Sequence, residues 1–307
     1  MSPSSDSRFV SGFVSILGRP NAGKSTLLNK LVGMKLSIVT PKPQTTRASI
    51  QGVLNRPGAQ IVFVDTPGIH KPDSTFNRQM LVTVKAALDQ RDLLLYVADA
   101  TRRTGEEDRE ALEIVKSGRT PVLLLLNKID RLKDKRLLLD LIESYRTLHE
   151  FEEFLPVSAR TGQGLDEALE AVVHRLPEGP AYFPPDYVTD QPERFLAGEL
   201  IREKILFSTR EEVPHSVAVV VDEWRETAQL TRISATIYVE RPSHKGILIG
   251  AKGAMLKQIG TAARQEMESL SGRKIFLELF VKAQPKWREN PAFLNAVDWR
   301  SMTGPEV

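Results

Sequence analysis

The sequence predicts an α/β domain with a doubly wound sheet, followed by a smaller α+β domain. Three observations carry this prediction: apolar runs alternate with helical patterns in the first half, a proline-rich segment follows, and strand-like alternation flanks a helix after it. Runs that are apolar on both faces are typical of strands covered by helices, whereas alternation is typical of a sheet with one exposed face. At 307 residues the chain is long enough for each domain to bury its own core.

Strands of the first domain are predicted at apolar runs that end in polar turns, namely residues 13–17, 61–65, 93–99 and 121–127. The sequence NRPG lies between two strand-like runs and predicts a hairpin over residues 49–64. Between Arg131 and Leu148, apolar residues recur at the spacing of an amphipathic helix that packs on the sheet. These residues are Leu132, Leu138, Leu139, Ile142 and Tyr145.

The domain boundary is predicted at residues 177–192, which hold five prolines in PEGPAYFPPDYVTDQP. Each proline fixes φ and removes a backbone donor, so neither a helix nor a central strand is expected there. The predicted limits are therefore 1–176 for the first domain, 193–285 for the second and 286–307 for a C-terminal tail.

The second domain is predicted from one helix, two alternating strands and a further helix between the strands. The first helix covers residues 195–206, and the strands cover 232–240 and 274–282. The second helix presents apolar residues three or four apart: Met255 or Leu256, Ile259, Ala263, Met267 and Leu270. The two tryptophans of the tail, Trp287 and Trp299, are interpreted as pins that hold the tail to this domain.

Composition excludes several classes of protein. The chain has no cysteine, which excludes disulfides, thiolate metal sites and thiol catalysis. No apolar run approaches the roughly 20 residues that span a bilayer, and the first residues lack the pattern of a signal peptide, so we expect a soluble intracellular protein. The net charge of +3 is too small to indicate nucleic-acid binding, although residues 193–290 carry 16 Lys and Arg against 13 Asp and Glu.

The motif GRPNAGKS, Gly18 to Ser25, follows a predicted strand and opens a helical pattern, which is the context of a phosphate-binding loop. Glycines allow successive amides to point at phosphates, and the helix N-terminus adds the positive end of its dipole. Lys24 is expected to reach the β and γ phosphates and Ser25 to bind Mg²⁺.

Two later segments are expected to complete the magnesium and γ-phosphate site. In DTPG, Asp65 ends a predicted strand where it can hold Mg²⁺, and the Gly68 amide can meet the γ-phosphate. The segment VTPKPQTTRAS, residues 39–49, is predicted to be an ordering switch with a threonine that reaches the metal. Thr45 and Thr46 are both candidates, and Thr46 is preferred.

The motif NKID, Asn127 to Asp130, predicts specificity for guanine. A carboxylate below the base accepts hydrogen bonds from the ring N–H and exocyclic amine of guanine, whereas adenine would leave Asp130 unpaired. Lys128 is expected to lie along the base and Asn127 to tie this loop to the phosphate loop. In VSA, Ser158 and the Ala159 amide are expected to meet the base oxygen.

In the second domain, GAKG at Gly250 to Gly253 precedes a helix and predicts an RNA-binding loop. Two glycines allow the backbone to approach a sugar-phosphate chain, and the neighbouring apolar groove can accept unstacked bases. Ala251 is small and uncharged, so the electrostatic contact of this loop rests on Lys252.

These motifs, with QTTR at 44–47 and RFLAGELIREKI, EVPHSVAV, LIGAKG and LELFVK in the second half, resemble the Era family of bacterial GTPases across nearly the whole chain. The resemblance implies a Ras-like GTPase domain followed by a KH domain. It implies GTP or GDP and Mg²⁺ as cofactors, and small-subunit ribosomal RNA near its 3′ end, with the small ribosomal subunit itself, as partners. It also implies a cytoplasmic protein, expected as a monomer, with some peripheral contact with the inner membrane surface.

The resemblance assigns nucleotide contacts to Gly18, Arg19, Pro20, Asn21, Ala22, Gly23, Lys24, Ser25, Thr26, Asp65, Thr66, Pro67, Gly68, Ile69, Asn127, Lys128, Ile129, Asp130, Ser158, Ala159 and Arg160. Metal contacts are expected from Ser25, Thr46 and Asp65, and catalytic roles from Lys24, Asn21, Thr46 and Gly68. RNA contacts are expected from Gly250, Ala251, Lys252 and Gly253.

Ile69 stands where Ras-like enzymes carry the glutamine that orients the attacking water, and its side chain has neither donor nor acceptor. His70 is one candidate substitute. Asn21 is another, because in related GTPases an asparagine at this place helps to hold a potassium ion against the phosphates. A slow intrinsic hydrolysis follows from either interpretation.

Two alternatives stand beside the GTPase prediction. A P-loop ATPase or small-molecule kinase would share the phosphate loop but not the guanine specificity of Asp130. A membrane-linked or RNA-chaperone regulator would bind GTP with little useful hydrolysis.

Overall fold

The computed structural model describes residues 8–42, 45–68, 74–89, 91–116, 118–210 and 213–298. The chain divides into two compact units. The first comprises Met1–Ser37, Thr46–Lys71 and Met80–Asp190, and the second comprises Ile38–Thr45, Pro72–Gln79 and Gln191–Val307. The sequence prediction had assigned residues 38–45 and 72–79 to the first domain.

In the part of the chain up to residue 190, strands and helices alternate. The strands are β1 (Val10–Leu17), β2 (Ile50–Arg56), β3 (Ala59–Asp65), β4 (Leu93–Asp99), β5 (Val122–Asn127) and β6 (Glu153–Pro156). The helices are α1 (Lys24–Val32), α2 (Thr75–Leu88), α3 (Glu106–Lys116), α4 (Leu137–Arg146) and α5 (Leu165–Val173). The sheet has the order β2-β3-β1-β4-β5-β6, in which β2 is antiparallel to β3 and the other neighbours are parallel.

This sheet is covered on both faces. Alternate residues of β4 enter two different apolar clusters: Leu93, Leu95 and Val97 pack with α1 and α5, whereas Leu94 and Tyr96 pack with α3 and α4. Successive side chains of a strand point to opposite faces. The predicted doubly wound α/β fold is therefore confirmed.

The predicted hairpin is present, with its turn at Pro57 and Gly58 between β2 and β3. The predicted helix after Arg131 is shorter than expected, because α4 begins at Leu137. Leu139 was expected to face the core and is 67% exposed, whereas Leu141 and Tyr145 are buried. Residues four apart share a helix face, and Leu139 lies two residues from that pair, so it points away.

Residues 177–190 form an irregular segment of the first unit that runs beside β2 and β3. Val53 N–H donates to the Val188 carbonyl at 2.8 Å. Gln60 donates to the Phe183 carbonyl at 2.8 Å and accepts from Tyr182 N–H at 2.7 Å. The prolines prevent a regular strand, as expected, and the segment is held by these hydrogen bonds to β2 and β3.

The second unit contains a smaller sheet with helices on both faces. Its elements are α6 (Glu193–Ser208), β7 (Val217–Glu226), β8 (Thr231–Val239), α7 (Pro242–Ile249), α8 (Ala254–Ser271), β9 (Ile275–Ala283) and α9 (Pro291–Val297). The sheet order is β7-β8-β9, with β7 antiparallel and β9 parallel to β8. Helices α6, α7 and α8 contribute with the strands to one apolar cluster on one face, and the short α9 lies on the other. The predicted α+β domain is confirmed.

Sequence reasoning missed α7 and correctly interpreted Trp287. In α7 only His244 and Leu248 are buried, so the apolar signal is too short to indicate a helix. Trp287 is 1% exposed, and its indole N–H donates to the Ser216 carbonyl at 3.0 Å. Trp299 lies outside the described residues. No helix in the described part of the chain is long and apolar enough to cross a bilayer.

Candidate functional site

The predicted phosphate loop connects the end of β1 to the start of α1. Gly23 has φ 102°, and a Cβ added there would lie 2.3 Å from Asn127 Nδ2, so this position requires glycine. Asn21 also has a positive φ of 61° and is exposed at the top of the loop. The loop therefore wraps in front of the α1 N-terminus and touches the end of β5.

Lys24 is the first residue of α1, and its ammonium group lies inside the loop. Nζ donates to the carbonyl oxygens of Gly18 at 2.9 Å and Arg19 at 3.0 Å. Burial lowers the pKa of Lys24 to about 8, although the negative charge of Asp65 opposes this shift. A buried ammonium held by two carbonyls is suited to an anion that enters the loop.

A cluster of oxygen atoms lies beside the loop. Asp65, at the end of β3, accepts from Ser25 Oγ at 2.7 Å and from Ser37 Oγ at 3.2 Å. Thr46 Oγ1 lies 2.7 Å from Ser25 Oγ. The structure thus brings together all three predicted metal ligands, and Ser37 is an addition that no sequence motif signalled.

This cluster suits a magnesium ion. Asp65 Oδ1 is buried and has no hydrogen-bond partner among the described residues. Burial raises the pKa of Asp65, and Lys24 and the surrounding hydroxyls oppose that shift. A buried carboxylate oxygen without a partner, beside two hydroxyls, is the hard oxygen environment that Mg²⁺ prefers when phosphates supply the remaining ligands.

The structure distinguishes the two threonine candidates. Thr45 Oγ1 lies 2.8 Å from Thr40 Oγ1 and donates to the Lys42 carbonyl at 2.7 Å, away from the oxygen cluster. Thr46 is the residue that lies in the cluster, as preferred from the sequence.

The turn after β3 approaches the phosphate loop. Thr66 Oγ1 donates to the Ile16 carbonyl at 2.8 Å, and Pro67 is buried. A Cβ added to Gly68 would lie 3.1 Å from Pro20 Cγ, so the Gly68 backbone lies against the loop. Ile69 and His70 lie outside the described residues.

Asn127 joins three segments of the site. Its amide donates to the Ala22 carbonyl at 2.8 Å, which is the tie to the phosphate loop that the sequence predicted. Its Oδ1 accepts from Lys128 N–H at 2.8 Å and from Ala159 N–H at 2.9 Å. The Ala159 amide, which was expected to meet a base oxygen, is therefore used within the protein.

Asp130 lies in a short 3₁₀ helix (Ile129–Arg131) after β5. Ser158 Oγ donates to Asp130 Oδ1 at 2.7 Å, so Ser158 orients the carboxylate instead of pointing at a base. An Arg160 guanidinium nitrogen lies 2.9 Å from Asp130 Oδ2, but this buried oxygen has no aligned hydrogen bond to any residue that the structure describes. Oδ2 keeps its capacity to accept from a base.

Lys128 contacts Asp99, a residue of the site that sequence reasoning missed. Its Nζ contacts Asp99 Oδ2 at 2.6 Å and donates to the Asn21 carbonyl at 2.6 Å, so the side chain extends from β5 to the phosphate loop. Burial favours a raised pKa for Asp99, but hydrogen bonds from Lys128 and Thr101 outweigh it and lower the pKa. The available signal was an aspartate that ends an apolar run, as Asp65 does.

Thr26, the last predicted contact of the phosphate loop, lies in the first turn of α1, and Arg19 turns inward from the loop. The predicted nucleotide residues that the structure describes thus lie at the carboxyl ends of the parallel strands. Ligands of open α/β sheets bind at this edge.

The GAKG loop joins α7 to α8 in the second unit. Gly250 has φ 71° and ψ 179°, and a Cβ added there would lie 2.8 Å from Met255 Cβ, so only glycine fits. Lys252 has φ 51°, and both Ala251 and Lys252 are exposed. Ile247, on the preceding helix, is 51% exposed. The loop is a sharp, exposed turn between two helices, with a cation and an apolar side chain at its surface.

Two family models match this chain. Residues 13–128 match the family described as 50S ribosome-binding GTPase, and residues 212–288 match the KH domain family. The two matches correspond to the two parts of the chain that carry the phosphate loop and the GAKG loop.

Relatives cover nearly the whole chain. GTPase Era of Geobacter metallireducens is 50% identical over 297 residues, which are 96% of this chain and 99% of the relative. GTPase Era of Syntrophus aciditrophicus is 51% identical over 288 residues, which are 93% of this chain and 94% of the relative.

Solved structures agree with these relatives. A single-residue variant of Aquifex aeolicus Era bound to GDP·AlF4⁻ is similar with a TM-score of 0.91 and 41% identity over 95% of this chain and 99% of that chain. Era in complex with MgGDPNP and nucleotides 1506–1542 of 16S ribosomal RNA is similar with a TM-score of 0.92, with the same identity and coverage.

Proposed function

Because this chain belongs to the Era family of GTPases, we propose that it is a monomeric guanine-nucleotide switch that binds small-subunit ribosomal RNA during assembly of the small ribosomal subunit. The chain is a GTPase that uses Mg²⁺ and converts GTP to GDP and phosphate. The observation that supports the switch is the buried Asp65 oxygen beside Ser25 and Thr46, which has no hydrogen-bond partner in the described part of the chain.

In the proposed nucleotide site, residues 18–25 hold the phosphates, with Lys24 as the cation that neutralises them. Ser25, Thr46 and Asp65 hold Mg²⁺, which neutralises charge on the phosphate oxygens when it is bound. Asp130 accepts from the guanine edge, Lys128 lies along the base, and Ser158 fixes the carboxylate. Asn127 fixes the position of the base-binding loop relative to the phosphate loop, because its side-chain amide donates to the Ala22 carbonyl.

Hydrolysis in this proposal proceeds without a glutamine that orients water. Gly68 meets the γ-phosphate through its backbone, and Asn21 at the exposed top of the loop helps to hold a potassium ion. Fixed positive charge next to the phosphates stabilises the transition state even when water is poorly oriented. The result is a slow intrinsic rate that a partner can raise.

The RNA site of the proposal is the GAKG loop. Gly250 and Gly253 allow the phosphate backbone of a single strand to approach, Lys252 supplies charge, and Ile247 lies where unstacked bases can pack. Era, the relative in complex with nucleotides 1506–1542 of 16S ribosomal RNA, supports the 3′ region of this RNA as the target.

Contacts in the second unit support a link between nucleotide state and RNA binding. Val39 N–H donates to Glu203 Oε1 on α6 at 2.9 Å, and Arg202 donates to the Thr45 carbonyl. Thr45 directly precedes Thr46 of the proposed metal site. A movement of Thr46 when the γ-phosphate leaves would therefore displace the adjoining Thr45, whose carbonyl accepts from Arg202 of α6.

The first test is single-turnover GTP hydrolysis with and without purified small subunits. We expect the subunits to raise the rate of GTP hydrolysis. If the subunits leave the rate unchanged in both sodium and potassium buffer, the switch is contradicted. The second test compares the affinity for the 16S 3′ fragment in the GDPNP and GDP states. Glu203→Ala is expected to bring these two affinities together while GTP binding is retained.

Peripheral membrane contact is a further part of the proposal, and the start of α4 is the surface that supports it. Leu137 is 53% and Leu139 is 67% exposed. They follow exposed basic residues: Arg131, Lys133, Lys135 and Arg136. Exposed leucines beside cations suit an anionic lipid surface. Co-sedimentation with vesicles that contain phosphatidylglycerol should decrease for Leu137→Ser/Leu139→Ser, and equal binding of both proteins would contradict this surface.

A further inference from the structure

Below the phosphate loop, the first unit contains a buried ion pair that the nucleotide contacts do not use. Arg19, the second residue of the loop, has a side chain that is 6% exposed, and it pairs with Asp108 on α3 at 3.1 Å. Asp108 is completely buried. Arg19 Nη2 has no hydrogen-bond partner among the described residues, so the guanidinium is incompletely satisfied.

Asp108 is held on every side. Its Oδ1 accepts from the hydroxyls of Tyr96 at 3.0 Å and Tyr145 at 2.9 Å, and its Oδ2 also accepts from Gly105 N–H at 3.0 Å. Burial, followed by the charge of Asp108, raises the pKa of both tyrosines, so they remain neutral donors. Three elements, β4, α3 and α4, therefore fix the position of one carboxylate.

The other end of Arg19 carries a contact of the nucleotide site. The Arg19 carbonyl accepts from Lys24 Nζ at 3.0 Å and from Ala22 N–H at 3.4 Å. A displacement of the Arg19 backbone would therefore move the acceptor that orients the Lys24 ammonium. The side chain that fixes this backbone is the one that Asp108 anchors.

We propose that Arg19 is a positioning residue of the nucleotide site and that Asp108, with Tyr96 and Tyr145, is its anchor. The buried pair fixes the loop to the sheet and α3, so that the Arg19 carbonyl holds Lys24 ready for the β and γ phosphates. This inference rests on the proposed assignment of the phosphate loop.

Stability alone does not account for the arrangement. A buried ion pair contributes little net stability compared with a well-packed apolar pair, and an unsatisfied buried nitrogen adds a cost. An apolar side chain at residue 19 would pack more simply in this position. An apolar side chain would carry no charge for Asp108 to hold, so it would not fix the direction of the backbone carbonyl of residue 19.

The test separates positioning from folding with a double variant. Arg19→Met removes the guanidinium and leaves Asp108 buried without its counter-charge, so we expect the unfolding temperature of the nucleotide-free protein to fall by about 5–10 °C. Arg19→Met/Asp108→Asn removes both charges. The asparagine amide can accept from Gly105 N–H and donate to the tyrosine oxygens, so the unfolding temperature should return to within about 3 °C of the wild type.

Nucleotide affinity is the readout that a purely structural role would restore. We expect the Kd for GDP, measured with a fluorescent analogue in Mg²⁺, to rise about tenfold in Arg19→Met and to stay about tenfold raised in the double variant. If the double variant has the wild-type Kd, the inference is wrong. This outcome can be read even if the single variant Arg19→Met does not fold. A wild-type Kd in folded Arg19→Met overturns the inference as well.

Two controls complete the experiment. Lys116→Met removes an exposed ion pair with Glu113 on the helix that carries Asp108, and it should change neither the Kd nor the unfolding temperature. Lys24→Ala tests the phosphate loop itself. If Lys24→Ala loses nucleotide binding while Arg19→Met does not, only the positioning role is wrong, whereas wild-type binding by Lys24→Ala removes the proposed site.

Discussion

Asp130→Asn is the substitution that tests the base specificity most directly. The proposed contact is a carboxylate that accepts from the ring N–H and the exocyclic amine of guanine. Ser158 holds Oδ1 at 2.7 Å, so the carboxylate has a defined orientation before a base arrives. Asparagine has the same shape but replaces one acceptor oxygen by a donor. We therefore expect GDP to meet one donor–donor contact, and XDP, which carries a carbonyl in place of the amine, to be favoured.

The magnitude follows from the number of hydrogen bonds lost. The lost hydrogen bond to a charged group contributes about 1.5–3 kcal/mol, and the donor left unpaired by the donor–donor contact costs about 1–3 kcal/mol more, so GDP binding weakens by about 3–6 kcal/mol. Since 1.4 kcal/mol corresponds to a factor of ten, the Kd for GDP should rise roughly 10²–10⁴-fold. The exposed Arg160, which lies near Oδ2, adds little to this value because solvent screens it.

The assay is competition between GDP and XDP for a fluorescent nucleotide, with wild-type and Asp130→Asn proteins compared at the same Mg²⁺ concentration. Ser158→Ala is the matched control, because it removes one hydrogen bond that orients the charged Asp130 carboxylate and leaves both carboxylate oxygens able to accept from a base. It should weaken GDP binding about fivefold without favouring XDP. If Asp130→Asn retained the wild-type Kd for GDP, the assignment of Asp130 to the base would be wrong.

Four further perturbations address other parts of the molecule. Asp65→Asn should weaken GDP binding about tenfold in Mg²⁺ and leave binding in EDTA unchanged, and equal losses in both would exclude a metal role. GTP hydrolysis should be faster in potassium than in sodium, and Asn21→Asp should alter that ratio; equal wild-type rates in the two salts would exclude the potassium site. Gly250→Asp with Gly253→Asp should abolish binding of the 16S 3′ fragment while GTP binding survives, and unchanged RNA affinity would contradict the loop assignment. Trp287→Ala should destabilise the second unit by about 3–5 kcal/mol, measured by urea unfolding, because the indole is 1% exposed; a change below about 1 kcal/mol would show that the tail is not pinned by this residue.

Chemistry that depends on single side chains was predictable from the sequence. Asp65 and Asn127 end parallel strands, Ser25 lies in the first turn of α1 and Asp130 lies in the short 3₁₀ helix after β5, so the parallel sheet brings all four to one edge. Thr45 and Thr46 lie between α1 and β2, in a segment that has no periodicity to orient either hydroxyl. The preference for Thr46 over Thr45 was therefore weak.

Contacts that depend on side-chain direction were not predictable. Ser158 and the Ala159 amide were expected to meet the base, yet Ser158 orients Asp130 and the Ala159 amide donates to Asn127. Leu139 was expected in the core because its spacing from Leu132 fits a helix that starts at Arg131. Since α4 starts at Leu137, Leu132 lies outside the helix and its spacing from Leu139 does not indicate a shared face; Leu139 is exposed.

Residues 38–45 belong to the second unit, although the sequence prediction placed them in the first domain. Residues 38–45 follow the phosphate loop in sequence, and nothing in their composition indicates that they belong with α6. Glu203 and Arg202 hold the two ends of this segment, at Val39 and Thr45. Side chains of α6 thus determine where this segment lies in the second unit, and the contacts join residues that are more than 150 positions apart in sequence. Contacts of this kind depend on the folded position of α6, which the local pattern of residues 38–45 does not encode.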